Sequence, residues 1–518
     1  MTQQSLPPAL KLDGITIRFG SQLANDDVSL SIEQGSIHAV VGENGAGKST
    51  LSNIIYGLQR PDSGTMAVNG HPVDFTSPRQ AIEAGIGMVH QHFMLVPTLT
   101  VAENIILGSE PPGMFSRLPM KRIEREILEL CRRHGLDLDP HSKVSSLSVG
   151  EAQRVEILKL LYRKAKILIL DEPTAVLSPP EIEQLFLTLR SLASAGRTIM
   201  LITHKLDEVL SVSDQVSVMR KGKLIGTIPT THASKEELAR MMVGRSVLLS
   251  CANAPHQTGK PVLTIDNLDY TTAGGVRKLE KISLTVREGE VYGIAGVEGN
   301  GQTELLDILW GMREGQASIS GSVTFERQSI LGMTPSEIAR LGVSMIPEDR
   351  LKSAIVAEYG VEENLLLGRH REREFHRGIG FDHDKLRHYA ARMIERYDIR
   401  CGTAVNPPIA SLSGGNQQKV VLAREMERPG IRLLVLAQPT RGVDIGAIEL
   451  IHQRIIEARN SGLAILLISS ELEEVITLSS RIGCIYKGTI RHEFSVDEVA
   501  IGRSEQRDFE KSIGLHIT

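Results

Sequence analysis

Two segments of the chain share one glycine-rich frame, and each follows a short apolar run. Residues 42–49 read GENGAGKS after the run 37–41, and residues 296–303 read GVEGNGQT after the run 291–295. The frame is G-x-x-x-x-G-K-[ST], except that Gln302 replaces the lysine in the second copy. Small residues let such a loop turn its backbone N–H groups inward onto phosphate oxygens, and the following helix adds its positive N-terminal end. The feature therefore predicts α/β units built around a strand, a phosphate-binding loop and a helix.

The similarity between the two halves of the chain extends beyond these loops. Each half continues with a hydroxyl residue and a proline, at Ser77 and Thr334, which predict a helix start with a hydroxyl cap. Because strands alternate with helices, we predict two homologous α/β domains with mainly parallel sheets. Later matching segments are 147–150 with 412–415 and 168–174 with 434–440. The predicted boundaries are 1–248 for the first domain, 249–260 for a linker of small and polar residues, 261–505 for the second domain and 506–518 for a C-terminal tail.

The amino-acid composition argues against several classes of function. The 58 Lys and Arg residues against 62 Asp and Glu leave no basic excess of the kind that would suggest nucleic acid. The four cysteines are far apart and form no C-x-x-C, which favours free thiols in a reducing cytosol over disulfides or a metal cluster. We expect no signal sequence at the N-terminus, and no apolar run approaches the roughly 20 residues that span a bilayer. The chain is therefore expected to reach a membrane only through partner proteins.

The first glycine-rich loop has the residue types that phosphate binding needs. Lys48 can reach the β- and γ-phosphates of a nucleotide, and the Ser49 hydroxyl can ligate Mg²⁺. A chance glycine-rich turn is the alternative, but strand, loop and helix follow in the right order, and an acidic strand end comes later in the chain. The residues predicted to contact the nucleotide here are Gly42, Glu43, Asn44, Gly45, Ala46, Gly47, Lys48, Ser49 and Thr50.

Acidic residues follow another apolar strand of the first half. Asp171 and Glu172 come directly after the run 167–170. At the strand tip Asp171 can hold the water shell of the metal, and Glu172 can orient the water that attacks the γ-phosphate. His204 follows the apolar run 198–203 and fits a sensor of the γ-phosphate that fixes the geometry of this water. Glu172 and His204 are therefore the predicted catalytic residues.

Two further residues complete the predicted first site. Gln91 follows the apolar run 86–89 and is predicted to contact Mg²⁺ and the water. His90 and His92 flank Gln91 and could bind a metal together, but no third ligand is evident nearby in the sequence. Phe19 precedes the loop at a distance that suits stacking on an adenine ring, and a phenylalanine of the core is the alternative. The predicted metal contacts are thus Ser49, Gln91 and Asp171.

Taken together, these motifs resemble the ATP-binding cassette (ABC) family over nearly the whole chain. Residues 412–418 read LSGGNQQ and look like the signature loop of that family. The resemblance implies ATP and Mg²⁺ as ligands, and P-loop domains that each combine a mainly parallel core, an antiparallel β part and a helical subdomain. It also implies that two domains close face to face, with each ATP between the phosphate loop of one and the signature of the other. Ser413, Gly414 and Gly415 are the signature residues predicted to contact ATP.

Departures from the family pattern fall on one of the two predicted composite sites. The first signature has Val149 where the second has Gly414, and Ser178 stands where the second copy has Asp444. Random decay would scatter such losses over both sites. We therefore predict one hydrolytic site and one site that can hold a nucleotide without readily cleaving it. In the alignment Lys48 is matched by Gln302, Gln91 by Glu348, Asp171 by Ala437, Glu172 by Gln438 and His204 by Ser470.

Within the family, a fused pair of cassettes resembles the ATPase subunit of bacterial importers for simple sugars and nucleosides. This resemblance implies two transmembrane permease subunits, an extracytoplasmic solute-binding protein, no nucleic acid, and a peripheral position at the cytoplasmic face of the inner membrane. The sugar branch usually keeps Asp-Glu where this chain has Ala437-Gln438, which favours nucleosides. The cargo stays open, because the ATPase does not touch it.

Two other functions are alternatives to the importer. A soluble tandem ATPase of translation would usually carry a long charged linker and two intact sites, and one of DNA repair would carry zinc cysteines. Neither set of features is present in the sequence. A nucleotide-gated binding module without hydrolysis is the other alternative, and the intact Glu172 and His204 argue against it.

Overall fold

The computed structural model divides the chain into two compact units, Met1–Val247 and Leu248–Thr518. The residues that it describes are 7–20, 22–90, 93–110, 118–174, 177, 179–244, 253, 256–312, 318–378, 380–402, 406–443 and 445–517.

The first unit contains ten strands and eight α-helices in its described residues. The strands are β1 (Leu10–Phe19), β2 (Gln22–Ile32), β3 (Ile37–Gly42), β4 (Ser63–Val68), β5 (His71–Val73), β6 (Ile86–Val89), β7 (Ile167–Asp171), β8 (Thr198–Thr203), β9 (Gln215–Arg220) and β10 (Lys223–Pro229). The helices are α1 (Lys48–Ile55), α2 (Pro78–Glu83), α3 (Val101–Ile106), α4 (Met120–His134), α5 (Val149–Tyr162), α6 (Pro179–Ser194), α7 (Leu206–Val212) and α8 (Lys235–Val243).

The strands of the first unit form two sheets. A six-stranded sheet has the order β10-β9-β3-β8-β7-β6, in which only β10 pairs antiparallel with its neighbour. A four-stranded antiparallel sheet has the order β2-β1-β4-β5. Strands β3, β7 and β8 are buried along their whole length, as expected for parallel strands covered on both faces. The mainly parallel α/β fold predicted from the alternation of strands and helices is confirmed.

The second unit repeats this architecture. Its strands are β11 (Pro261–Thr271), β12 (Arg277–Arg287), β13 (Val291–Ala295), β14 (Ser318–Phe325), β15 (Gln328–Ser329), β16 (Val343–Ile346), β17 (His376–Arg377), β18 (Gly380–Phe381), β19 (Leu433–Ala437), β20 (Ala464–Ser469), β21 (Arg481–Tyr486) and β22 (Thr489–Phe494). Its helices are α9 (Gln302–Leu309), α10 (Pro335–Arg340), α11 (Arg350–Ser353), α12 (Val361–Leu366), α13 (His383–Arg396), α14 (Gly414–Met426), α15 (Ile445–Asn460), α16 (Leu472–Leu478), α17 (Val496–Gly502) and α18 (Gln506–Ile517). The sheets have the orders β16-β19-β20-β13-β21-β22 and β12-β11-β14-β15, with a separate β17-β18 pair.

Each unit has one apolar core between its antiparallel sheet and its large sheet, and another between its large sheet and its helices. In the first unit, one cluster joins the antiparallel sheet to α1 and the inner strands, and the other holds α3, α4 and α5 together. Helix α4 buries Ile123, Ile127 and Cys131, which are spaced four residues apart and therefore lie on one face. The second unit has equivalent clusters and a smaller third one near its C-terminus.

The end of the chain differs from the predicted tail. Residues 506–517 form α18, and Phe509, Ile513 and Ile517 are buried in the third cluster of the second unit. The spacing of these residues places them on one helix face, which packs against β21 and α16. The predicted linker also contacts the second unit, because the Asn253 side chain donates to the carbonyls of Thr477 and Leu478.

The two predicted hydroxyl caps have different outcomes. Thr334 forms a complete capping box with Glu337 at the start of α10. Ser77 is the N-cap residue of α2, but its hydroxyl caps no N–H group, which corrects the prediction there. Gln80 at the third helical position turns back instead, and its Oε1 accepts from the Thr76 N–H at 2.7 Å. No helix in the described residues is both long and apolar enough to cross a bilayer.

Candidate nucleotide site

Strand ends that are far apart in the sequence meet at one edge of the large sheet of the first unit. Strand β8 lies between β3 and β7, with Val41 opposite Thr203 and Asp171 opposite Ile202. The three strands are parallel, so their carboxyl ends face the same way. The loop after β3, the acidic pair at the end of β7 and the histidine after β8 are therefore neighbours.

The glycine-rich loop of the first unit has a backbone conformation that leaves no space for a side chain at its last glycine. Gly47, the N-cap of α1, has a φ of 100°. A Cβ at this position would collide with the Ala24 carbonyl and the Asn25 amide, so only glycine fits. The Asn25 side chain also donates to the Gly47 carbonyl at 3.1 Å and holds the loop in this shape. The first turn of α1 then contains Lys48, Ser49 and Thr50, as the motif predicts.

Opposite charges are gathered beside this loop. The Lys48 ammonium is buried and donates to the carbonyls of Gly42 and Glu43 at 2.7 and 3.1 Å. Burial lowers the pKa of Lys48, although Glu172, Asp171 and Glu43 oppose the shift. Burial and the charge of Glu172 raise the pKa of Asp171, against a hydrogen bond with Ser49 and the charge of Lys48. Lys48, Ser49 and Asp171 thus share one small, largely buried region.

The two predicted catalytic residues are in direct contact. His204 Nδ1 lies 2.8 Å from Glu172 Oε1, and an ionised carboxylate can only accept, so the imidazole donates. Burial opposes ionisation of Glu172, but the hydrogen bond from His204 and the charges of His204, Lys48 and Lys205 outweigh it, and the pKa of Glu172 is lowered. Glu172 also has a φ of 47°, an uncommon left-handed conformation of the kind that costs about 1–3 kcal/mol. The strand end therefore holds an ionised carboxylate in a fixed position.

Other predicted residues lie elsewhere or beyond the described ranges. Phe19 ends β1 and is 50% exposed, which rules out the core alternative and leaves stacking on adenine as a prediction. Gln91 and His92, together with Ser178 and Asp444, lie outside the described residues. The predicted signature residues Ser413, Gly414 and Gly415 belong to the second unit, at the start of α14.

The second glycine-rich loop has the same backbone but a different side chain in place of the lysine. Gly301 has a φ of 105° and Gln302 begins α9, as Gly47 and Lys48 do for α1. The Gln302 side chain turns back into its own loop, where Nε2 donates to the Val297 carbonyl and Oε1 accepts from the Asn300 N–H, both at 2.9 Å. A backbone donor of this loop is therefore occupied by a neutral amide.

At the strand end of the second unit, the backbone again matches that of the first unit while the charged side chains are replaced by uncharged ones. Gln438 has a φ of 48° and donates its N–H to the Ile468 carbonyl, as Glu172 does to Ile202. Its side chain donates to Ser470 Oγ at 3.0 Å and accepts from Ser469 Oγ at 3.2 Å. Ala437 and Gln438 thus leave this strand end without a carboxylate.

Comparison with known proteins identifies the family to which the chain belongs. The family described as ABC transporter matches residues 25–175 and 279–440, once in each unit. The chain belongs to the ABC transporter family. Its two units are therefore two ATPase cassettes, and a protein with this domain binds ATP.

Relatives of this ABC chain are similar over nearly its full length. A nucleoside import ATP-binding protein of Lactococcus lactis is 45% identical over 93% of this chain and 94% of its own. A guanosine import ATP-binding protein of Bacillus subtilis is 45% identical over 91% of each chain, and a glucose import ATP-binding protein of Haloferax volcanii is 43% identical over 95% and 94%. An archaeal ribosome recycling factor, solved with a ribosomal stalk protein, aligns over 96% of this chain and 92% of its own with a TM-score of 0.61. Its 18% identity shows the fold alone.

The second cassette also contains an ion-pair cluster that the sequence analysis did not find. Arg441, after β19, lies 2.9 Å from Glu298 in the glycine-rich loop and 2.6 Å from Glu348 after β16. Burial and Glu298 raise the pKa of Glu348, and Arg441 opposes the shift. Glu348 aligns with Gln91, so a carboxylate stands where the first cassette has a neutral amide. The sequence signal for this ion-pair cluster was Glu298, because an acidic residue inside a phosphate-binding loop is unfavourable without a cation beside it.

Proposed function

We propose that this chain is the ATP-hydrolysing subunit of a nucleoside importer, with hydrolysis at the first cassette only. The observation that carries the proposal is the Glu172–His204 contact beside Lys48 and Asp171, which the second cassette replaces with uncharged side chains. The relatives of this import ATPase are named for nucleoside, guanosine and sugar import, and they match more than 90% of the chain. The ribosome recycling factor matches in fold alone and gives the translation alternative no further support.

The residues of the first cassette suit a nucleotide bound with Mg²⁺. The Ser49 hydroxyl is hydrogen-bonded to the Asp171 carboxylate, and hard oxygen donors of this kind are the ligands that Mg²⁺ prefers. Ser49 and Asp171, with Gln91 as the third contact, would hold the ion, which when bound would neutralise charge on the β- and γ-phosphates. Lys48 would turn from its two carbonyl partners to the phosphates, and its buried position places the full charge close to them.

Glu172 then has a defined role in the chemical step. Its carboxylate is ionised and fixed by His204, so it can accept a hydrogen bond from a water molecule and orient that water toward the γ-phosphate. His204 holds the carboxylate rather than taking the proton itself. The remaining nucleotide contacts come from the 42–50 loop, from Phe19 against the adenine, and from Ser413, Gly414 and Gly415 of the signature.

The subunits of the proposed transporter follow from its assignment as an importer. We propose two permease subunits in the membrane, a solute-binding protein outside it, and this chain as a peripheral subunit at the cytoplasmic face. The nucleoside preference is supported by two relatives at 45% identity whose names specify nucleoside and guanosine, and by Ala437-Gln438 at the second strand end.

Uptake by whole cells tests the proposal. Cells with and without the gene should be compared for uptake of radiolabelled guanosine, adenosine, ribose and glucose, with a plasmid copy of the gene as the rescue control. We expect the deletion to abolish nucleoside uptake and to leave ribose and glucose uptake unchanged. Loss of sugar uptake alone would transfer the proposal to the sugar branch, and no loss of any uptake would contradict the importer function.

A further inference from the structure

The oxygen ligands proposed for Mg²⁺ in the first cassette are not repeated in the second. Thr303 keeps the hydroxyl of Ser49, but Ala437 replaces Asp171 and has no side-chain oxygen. Mg²⁺ is bound by hard oxygen ligands in a near-octahedral arrangement, usually by one or two carboxylates besides the phosphates of the substrate. The end of β19 therefore does not fit this ion.

A guanidinium occupies the remaining position. Arg441 Nη1 lies 2.6 Å from Glu348 Oε1 and 2.9 Å from Glu298 Oε1, so one cation pairs with both carboxylates. Glu348 is the counterpart of Gln91, and Glu298 belongs to the glycine-rich loop. The cation thus lies between the phosphate loop and the third metal position. Arg441 has no counterpart in the first cassette, where Ala175 is the aligned residue.

The backbone holds Arg441 beside the strand end, and its side chain is half-exposed. Its N–H donates to the Gln438 carbonyl at 3.1 Å, and its carbonyl accepts from Arg350 Nη1 at 3.0 Å. Both carboxylate contacts use Nη1, and a guanidinium has five N–H donors. Arg441 can therefore bind a phosphate while it stays paired with the carboxylates, and it supplies the charge that the neutral Gln302 lacks.

The two cassettes also differ in the balance of charge around the loop. In the first, the carboxylates of Glu43, Asp171 and Glu172 all act on Lys48. A nucleotide adds further negative charge, so the first site needs a divalent ion. In the second, Arg441 contacts two carboxylates and the strand end is uncharged. The smaller excess of negative charge reduces the need for a metal ion there.

We propose that Arg441 takes the place of Mg²⁺ in the second cassette, which then binds a nucleoside triphosphate without a divalent ion. The inference rests on the proposed ATPase function and adds to it the cation of the site that does not hydrolyse. Because this cation belongs to the chain, the second cassette keeps it when divalent ions are removed.

Photolabelling of the full transporter complex measures binding at each cassette separately. The probe is a photoreactive azido-ATP, and the crosslinked peptides identify the cassette that holds it. When EDTA replaces Mg²⁺, we expect the half-saturating probe concentration to change less than about twofold for the second cassette and to rise for the first. An equal response of the two cassettes, or no labelling of the second, would overturn the proposal.

Arg441→Gln tests whether the guanidinium is the cause. In EDTA we expect binding at the second cassette to weaken at least about tenfold, because a charged hydrogen bond to phosphate is lost. Mg²⁺ should recover most of this loss, since Glu298 and Glu348 then lack their cation and can ligate the ion. Arg441→Lys keeps the charge and should stay close to wild type. A loss that Mg²⁺ does not relieve would indicate a structural role and overturn the proposal.

Arg432→Gln is the matched control. Arg432 precedes β19 as Arg441 follows it, and it also pairs with two carboxylates, 2.8 Å from Glu288 and 2.9 Å from Glu326, at a similar exposure. Its replacement should leave the labelling of both cassettes as in wild type, and an effect equal to that of Arg441→Gln would overturn the proposal. A wild-type complex without ATPase activity would contradict the proposed function itself, whereas an active complex with equal cassette responses contradicts this inference alone.

Discussion

Replacement of Glu172 by glutamine removes one negative charge from the first cassette with almost no change in shape. The fold already accepts glutamine at this position, because Gln438 occupies the equivalent strand end with a φ of 48° against 47° for Glu172. Glutamine can also keep a hydrogen bond with His204 through its amide. Any loss of activity in Glu172→Gln therefore reports chemistry rather than folding.

The size of the loss follows from the bond that the water would make. A hydrogen bond to a charged acceptor contributes about 1.5–3 kcal/mol, and a neutral amide retains only part of it. At about 1.4 kcal/mol for each factor of ten in rate, a loss of roughly 2.7 kcal/mol corresponds to about 100-fold slower turnover. ATP binding should change little, because we propose Lys48 and the 42–50 loop, not Glu172, as the phosphate contacts.

Two measurements on the purified transporter complex check this expectation. Release of phosphate under saturating ATP gives the turnover, and titration with a fluorescent ATP analogue gives the affinity. We expect turnover to fall about 100-fold with a Kd within about twofold of wild type. Gln438→Glu in the second cassette is the matched control and should not create a second hydrolytic site, since Gln302 and Ala437 remain. Turnover above half of the wild-type value in Glu172→Gln would refute the assigned role.

Three further predictions address the signatures, stability and partners. Ser413→Ala should impair uptake more than Ser148→Ala, whereas Ser148→Ala should lower the Tm, since its cap contributes about 1 kcal/mol; equally severe uptake losses would contradict the asymmetry. Burial lowers the pKa of His38 from 6.5 to about 4, so below pH 6.5 the unfolded chain takes up a proton that the folded chain does not, and stability falls from pH 6.5 toward 4. At pH 5 this term is about 2 kcal/mol, and the Tm difference between pH 7 and 5 should be smaller in His38→Gln than in wild type; an equal difference would count against it. Cysteine at Leu351, which is 61% exposed, should crosslink to a cytoplasmic loop of a permease with a yield that ATP changes, and an ATP-independent yield would argue against docking there.

The short buried strands and the glycine-rich loops are encoded by local sequence pattern. The strands 86–89, 198–203 and 291–295 have the boundaries that their apolar runs predict. Buried parallel strands are short continuous apolar runs, so the ends of such a run indicate the ends of the strand. The glycine-rich loops are equally local, since Gly47 and Gly301 need a left-handed backbone that other residues adopt only with strain. The convergence of Lys48, Asp171 and His204 was also predictable, because parallel strands end at one edge.

Which side chains meet across those strand ends depends on the tertiary fold. Arg441 pairs with Glu298 and Glu348, and Arg350 reaches Gly414, although nothing periodic connects these positions in the sequence. The Ser148-x-x-Glu151 pattern of a capping box is visible in the sequence, but only the structure places Glu181 beside Gly150 in the same helix start. Likewise, the apolar residues of α18 are recognised as core only once β21 and α16 are placed against them. Strands and glycine-rich loops are set by residues that are neighbours along the chain. Charge pairs form between long side chains from separate loops, and their partners are defined only once the sheet has assembled.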